Sequence, residues 1–242
     1  MREPIDVVLP VHNEAESIGA TLNEFYKVVT LDGNIPIRFV ICEDGSRDNT
    51  VQVLKDLSAT LPIFLISDPE RKGYSRAVLD GFRATTSPLV GFIDSDGQCD
   101  PADFASFVTA QDSGRCDIAF GYRNPRHDHP IRVLMSNAFG FVYRCYFSIP
   151  VRDPSCPFLL IRQQSLQRVL RGNPGILKQG FWWEFIARCV SAGLRIQELP
   201  VAHRARSAGV TQVYRPTKVP RIAYEHLLGL ARLKKELREL NP

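Results

Sequence analysis

The chain has 242 residues, 44% of them hydrophobic and 23% charged, with a formal net charge of +4. Such a composition belongs to a folded globular protein large enough to bury a core without disulfide staples. The mild basic balance suits a phosphate-rich ligand or an anionic surface, and it is too small to imply nucleic acid.

Six cysteines lie scattered with no CxxC pair. That spacing predicts reduced core thiols in a cytoplasmic protein, not a metal cluster or a disulfide framework. The opening MREPIDVVLPVHNE carries no basic-then-apolar leader, and the chain has no long uninterrupted apolar run. Neither a signal peptide nor a membrane-spanning helix is expected, and any membrane contact would be peripheral or through a partner.

In chain order, residues 6–11 (DVVLPV) read as a buried strand that stops at the polar turn His12-Asn13-Glu14. Ile18, Leu22, Phe25 and Val29 then recur at helical spacing. A second strand over 37–42 runs into Glu43-Asp44-Gly45-Ser46, and Asp48-Asn49-Thr50 can cap the next helix. Residues 63–66 read as a third strand, a helix over 75–84 is entered through Lys72-Gly73, and a fourth strand over 89–93 runs into Asp94. This alternation predicts a parallel, doubly wound sheet with helices on both faces. Open sheets of that type bind ligands beyond the carboxyl ends of their strands, so the polar clusters that follow the strands should converge.

The second half is less regular. It predicts a strand near 117–120, a polar loop over 121–130, an aromatic-rich helix over 131–146, and strands near 158–161 and 196–201. A final helix is predicted over about 218–240. With no repeat and no linker, the expected organisation is one domain over 1–215 and a helical extension over 216–242.

Asp94-Ser95-Asp96 follows the apolar run LVGFI. Two carboxylates so placed can hold one hard divalent cation and leave sites for diphosphate oxygens and water. A D-x-D tripeptide alone reads equally as an exposed acidic turn, so its context decides. That context is Leu9-Pro10-Val11-His12-Asn13-Glu14, then Glu43-Asp44-Gly45-Ser46-Arg47-Asp48-Asn49-Thr50, then Arg71-Lys72-Gly73, then Asp94-Ser95-Asp96-Gly97-Gln98. In that order and spacing the four segments resemble the nucleotide-binding half of a family-2 glycosyltransferase.

The resemblance implies an α/β GT-A (Rossmann-like) fold with a mostly parallel sheet, helices on both faces and a C-terminal amphipathic helix. Residues 1–100 would form its nucleotide-sugar half and 101–215 its acceptor half. It implies that Pro10, His12 and Glu14 line the nucleoside pocket, that Asp44 contacts the base or ribose, and that Lys72 joins the donor-binding set. Asp94, Asp96 and Gln98 would coordinate Mg²⁺ or Mn²⁺ with the donor diphosphate, with Asp96 counted among the catalytic residues. Many relatives carry two aspartates where this chain has Glu43 then Asp44, a substitution that keeps the charge and leaves base selectivity open.

Gly121-Tyr122-Arg123, Arg132, Ser136-Asn137 and Asp153-Pro154-Ser155 with Phe158 resemble the dolichyl- and polyprenyl-phosphate sugar synthases. By that resemblance Arg123, Arg132 and Ser136 would bind an acceptor phosphate. Arginine suits such planar, bidentate recognition, and an anionic phosphate nucleophile needs no general base. Arg204 and Arg206, in a basic loop after the last strand, would close over the donor diphosphate. Phe181-Trp182-Trp183-Glu184 matches a segment flanking the sugar site. Asp153 and Glu184 are the candidate general bases for an alcohol acceptor, whereas with a phosphate acceptor they would orient the donor sugar or the arginines.

Two segments bear on surfaces. Phe139, Phe141, Tyr143 and Tyr146 cluster over 138–146, which reads either as an interfacial helix or as a core helix packed on the sheet. Leu230, Leu233, Leu237 and Leu240 run beside Arg232, Lys234, Lys235 and Arg238. That pattern fits a helix resting on an anionic membrane, docking a partner, or packing on its own domain.

The function these readings predict is inverting transfer of mannose or glucose from a GDP- or UDP-sugar to a polyprenyl phosphate. The expected partners are that donor and acceptor and a membrane surface or membrane protein, with no nucleic acid; the expected location is the cytoplasm, including its membrane face. Two alternatives stand beside it: transfer to a soluble or glycan hydroxyl, and a non-catalytic sugar-nucleotide-binding partner of a membrane enzyme.

Overall fold

The computed structural model describes residues 3–124, 130–147, 149, 151–172, 174–177, 180–204 and 219–240, with side chains at 130–138, 219–224, 226 and 227 outside the description. Seven strands form one sheet: β1 (Ile5–Val11), β2 (Ile37–Asp44), β3 (Ile63–Asp68), β4 (Leu89–Phe92), β5 (Ile118–Arg123), β6 (Leu159–Arg162) and β7 (Ile196–Val201). Their spatial order is β3-β2-β1-β4-β6-β5-β7. All neighbouring pairs run parallel except those of β6, which is antiparallel to both β4 and β5. The expected mostly parallel sheet is therefore a mixed one, turned at β6.

The apolar run of β1 is buried along its whole length, as a central strand covered on both faces requires. Its one charged residue, Asp6, lies opposite Arg38 in the β1–β2 register. Arg38 Nε and Nη2 donate to the two Asp6 carboxylate oxygens at 2.8 Å each. The Thr86 and Ser87 backbone N–H groups donate to Asp6 Oδ2 at 2.7 and 3.0 Å. Burial pushes this carboxyl upward, but Arg38 and the two N–H donors outweigh it and hold Asp6 below the usual carboxylate range.

Helices cover both faces. On one, α3 (Tyr74–Ala84) packs on β1 and β2, and a Cβ on its Gly81 would stand 2.5 Å from Val8 Cγ1 and 2.8 Å from Cys42 Sγ. Only a glycine allows that approach. Phe82 of α3 joins Phe92, and Phe181, Trp182 and Phe185 of α7 (Phe181–Ser191), in one aromatic layer. On the other face Phe25 of α1 (Ile18–Tyr26) meets Phe104 of α4 (Phe104–Asp112), which stacks on Phe158. A π-helical turn, Lys27–Asp32, extends α1. Next, α2 (Thr50–Leu57) packs beside α1 and β3, and the short α6 (Gln163–Val169) follows β6. The residue capping α2 is Asp48, whose Oδ1 accepts from Thr50 N at 3.1 Å, whereas Asn49 makes no side-chain cap.

The aromatic helix α5 (Pro130–Phe147) has one side in the core and another exposed. Tyr143 is fully buried and packs with Phe139 against Trp183, while Phe141 is 66% exposed and Val142 and Tyr146 also face outward. The last helix, α8 (Val219–Leu240), buries Leu230, Leu233 and Leu237 in the domain's own core and leaves Leu240 exposed. Among the described residues no helix is long and apolar enough to cross a membrane. Cys42, Cys116, Cys156 and Cys189 are buried thiols, Cys99 is half-buried and Cys145 is exposed; burial pushes the Cys42 thiol up to about 12.

Candidate active site

The strand order reverses direction at β1, whose neighbours are β2 and β4. Loops at the carboxyl ends of these strands diverge there and leave a crevice. The first loop, His12-Asn13-Glu14, turns through Asn13 at a φ of +55°, a region asparagine tolerates better than most residues. It is stitched to the β2 loop: Asn13 N donates to Ser46 Oγ at 2.9 Å, Arg47 N to Asn13 Oδ1 at 2.8 Å, and Glu14 N to Thr50 Oγ1 at 2.9 Å. Ser17 Oγ donates to Glu14 Oε2 at 2.6 Å. Pro10 is the penultimate residue of β1 and buried. His12 Nδ1 is buried with no hydrogen-bond partner among the described residues, which is costly unless a ligand or water supplies one.

Glu43 and Asp44 close β2, and both are buried. Glu43 accepts from Ser46 N and Ser67 Oγ, so it shapes the loop. Asp44 accepts from Lys72 N at 2.6 Å and Gly73 N at 2.9 Å, which ties the β2 end to the entrance of α3. Between them Gly45 sits at a φ of +65°, and a Cβ there would lie 2.6 Å from Arg71 N. The Lys72 ammonium pairs with Asp68 and lies 3.6 Å from Asp80.

At the end of β4 the chain leaves the sheet through Asp94-Ser95-Asp96 and turns at Gly97, whose φ is +70°. Both aspartates are half-buried. Tyr74 donates its hydroxyl to Asp94 Oδ1 at 2.8 Å, and the Trp182 indole N–H donates to the Tyr74 oxygen at 2.8 Å. Burial at the hydroxyl end, together with the Asp94 charge, pushes the Tyr74 pKa up. Tyr74 therefore stays a neutral donor to Asp94. Gln98 donates its backbone N–H to Asp96 Oδ1 at 3.1 Å and its side-chain N–H to Arg204 O at 3.2 Å.

Arg204 N donates to Gln98 O at 2.9 Å, and Cys99 and His203 form an antiparallel bridge. The segment after β7 is thus laid against the segment after β4. The Arg204 guanidinium is held by Glu24 at 2.7 Å and Asp100 at 2.9 Å, so phosphate binding by Arg204 would have to exchange those partners. Arg206 lies outside the described residues. Arg132 and Ser136 lie on α5, where the side chains are outside the description.

The structure gives two predicted residues a different setting. Arg123 is joined to Asp153 through Nε–Oδ2 at 2.7 Å and Nη2–Oδ1 at 2.9 Å, and it also donates to Ser155 Oγ at 2.7 Å. Both side chains of the pair are under a tenth exposed. This fork holds β5 to the loop before β6 and engages the arginine that was expected to grip an acceptor phosphate. Glu184 is 1% exposed and accepts from Arg188 Nε, Gly175 N and Leu177 N at 2.8–2.9 Å. Arg188 in turn reaches Glu236 of α8 at 3.1 Å. A carboxylate so enclosed anchors α7 to α8, with its oxygens engaged by Arg188 and by the Gly175 and Leu177 backbone.

Sequence reasoning did not single out Tyr74. The only signal was its place directly after Lys72-Gly73, at the first position of α3.

The family model for glycosyl transferase family 2 matches residues 6–170. The chain belongs to that family. An uncharacterized glycosyltransferase of Mycobacterium tuberculosis is 29% identical over 219 residues, covering 87% of this chain and 90% of that protein. A dodecaprenyl-phosphate galacturonate synthase of Rhizobium johnstonii is 25% identical over 214 residues, covering 86% of this chain and 61% of that protein. Among solved structures, glucosyl-3-phosphoglycerate synthase of Mycobacterium tuberculosis, in complex with Mn²⁺, UDP and glucosyl-3-phosphoglycerate, superposes with a TM-score of 0.70 at 18% identity. That match covers 95% of this chain and 79% of that one. The fold is GT-A, as the motifs implied.

The polyprenyl-phosphate acceptor is corrected. Complexes of the glucosyl-3-phosphoglycerate synthase that shares the fold over 95% of this chain hold phosphoglyceric acid, glycerol 3-phosphate or glucosyl-3-phosphoglycerate beside the nucleotide, all small and water-soluble. Arg123, on which the lipid-phosphate reading leaned, is engaged by Asp153.

Proposed function

We propose that the chain is a metal-dependent glycosyltransferase that moves a sugar from a nucleotide-sugar donor to a soluble or glycan acceptor. The observation that carries this reading is the pair Asp94 and Asp96 at the switch point of the sheet, beside the stitched β1 and β2 loops and the buried, unpartnered His12 Nδ1. Among the described residues no group of three or more His, Cys, Asp or Glu gathers for a metal. Two carboxylates nonetheless fit a hard divalent cation whose remaining ligands are diphosphate oxygens and water. Mn²⁺ is present in the complexes of the fold relative. Asp94 and Asp96 would hold the cation here, with Gln98 beside them. When bound, it would offset the charge developing on the departing nucleotide diphosphate.

The chain's own groups then divide the work. Pro10, His12, Glu14 and Asp44 line the nucleoside side of the crevice, and Asp44 also fixes the Lys72-Gly73 backbone. Arg204, by exchanging Glu24 and Asp100, and Arg206, which follows it in sequence, would serve the diphosphate. Arg132 and Ser136 on α5, and Asp153 with Arg123, belong to the acceptor half. The paired state of Asp153 suits positioning the acceptor better than accepting a proton.

A panel assay tests this reading. Purified protein is incubated with Mn²⁺, with UDP-glucose or GDP-mannose, and with soluble acceptors such as phosphoglyceric acid, glycerol 3-phosphate and short glycans; nucleoside diphosphate release is measured. Acceptor-stimulated release that falls by about 10²-fold or more in Asp96→Ala supports it. Undiminished turnover in that variant overturns it.

A further inference from the structure

We infer that Tyr74 and Trp182 form a hydrogen-bonded relay that positions the Asp94 carboxylate for the divalent cation, an inference that rests on the proposed function. Three elements meet in this relay. Asp94 follows β4, Tyr74 opens α3, and Trp182 lies in the first turn of α7. The Trp182 indole N–H donates to the Tyr74 oxygen at 2.8 Å, and Tyr74 donates its own proton to Asp94 Oδ1 at 2.8 Å. An indole nitrogen can only donate. Its bond therefore fixes the direction of the whole relay, and Tyr74 must point its proton at Asp94.

The relay has a rigid base. Trp182 is 7% exposed, with its ring 4.4 Å from Phe92 and within 6.5 Å of Phe82, Phe181 and Phe185. Two residues further along α7, Glu184 is locked to Arg188, and Arg188 to Glu236 of α8. The indole is thus fixed to the core.

Groups that orient a metal ligand from behind set its rotamer and its basicity. Here the orienting donor is neutral. It fixes the carboxylate without cancelling the charge that attracts a cation, as an arginine in its place would. Tyr74 is a positioning residue, because its hydroxyl acts through Asp94.

The test is Mn²⁺ binding, followed by electron paramagnetic resonance in the presence of UDP and, separately, GDP. The proteins are the wild type, Tyr74→Phe, Trp182→Phe and the double variant, each checked for an unchanged circular dichroism spectrum. Tyr74→Phe is expected to weaken Mn²⁺ binding about tenfold. Trp182→Phe should weaken it less, because the Tyr74 hydroxyl still reaches Asp94, and the double variant should match Tyr74→Phe, since without that hydroxyl the indole has no link to Asp94. Turnover of Tyr74→Phe should recover at high Mn²⁺, which a packing defect would not permit. Unchanged Mn²⁺ affinity in Tyr74→Phe, with a wild type that binds, overturns the relay and leaves the proposed function standing. A wild type that binds no Mn²⁺ with either nucleotide overturns both.

Discussion

Asp94 and Asp96 show how a short motif gains meaning from its surroundings. As letters they are an acidic turn; in the structure they end a buried strand at the switch point of the sheet, with a neutral tyrosine on one of them. Other carboxylates have different tasks. Asp6 is fully buried in a strand and held by Arg38 and two backbone donors. Because its folded pKa is lowered, its contribution to stability is complete above the unfolded carboxylate value and is lost as pH falls through the lower folded one. Asp6→Asn should therefore cost about 3 kcal/mol at neutral pH. Chemical denaturation across pH 2–7 should show that gap closing only in the acid range, below about pH 4. Glu184 gives a sharper contrast. Glu184→Gln should lower the melting temperature while the folded fraction keeps most of its kcat, as measured by turnover normalised to folded protein; loss of kcat without loss of stability would mark it as a base.

At the scale of elements, legibility followed burial. The four strands and three helices of the first half alternate cleanly because β1, β2 and β4 are apolar central strands, and each ends in a polar cluster that must leave the sheet. β7 was readable from its sequence to the residue at both ends. Less visible is α7, because Phe181-Trp182-Trp183 reads as a sugar-flanking segment and masks the helical spacing of Phe181, Phe185 and Cys189. The antiparallel insertion of β6 was hidden as well, since a four-residue strand carries no mark of its direction. Within the site, residues that belong to a contiguous motif were legible. Pairings across long sequence separation, Tyr74 with Asp94 and Trp182 or Arg123 with Asp153, were not. Gly81 is a position where the fold makes a demand that composition does not reveal. Gly81→Val should destabilise by about 1–3 kcal/mol through overpacking against Val8 and Cys42, read as a shift in denaturation midpoint.

For the whole molecule, the C-terminal helix is part of the domain. Leu230, Leu233 and Leu237 are buried, and Glu236 completes the ionic chain to α7. Truncation before α8 would expose three leucines and unpair Arg188 from Glu236, a loss of roughly 5 kcal/mol or more from the apolar surface alone. That is a large share of a typical domain's stability, and the truncated chain should show a broadened, low-temperature melting transition. The acceptor half is where the family resemblance reached too far. Its motifs placed an arginine near the site, but only the fold showed that the arginine is already paired. The proposed donor site is carried by two carboxylates beside a crevice at the switch point of the sheet. The most direct measurement of the central claim is equilibrium binding of UDP and GDP by titration calorimetry, in Mn²⁺ and in EDTA. A nucleotide that binds in Mn²⁺, loses that affinity in EDTA and fails to bind Asp94→Asn is the predicted result. Equal binding with and without the cation, or no binding of either nucleotide, would contradict it.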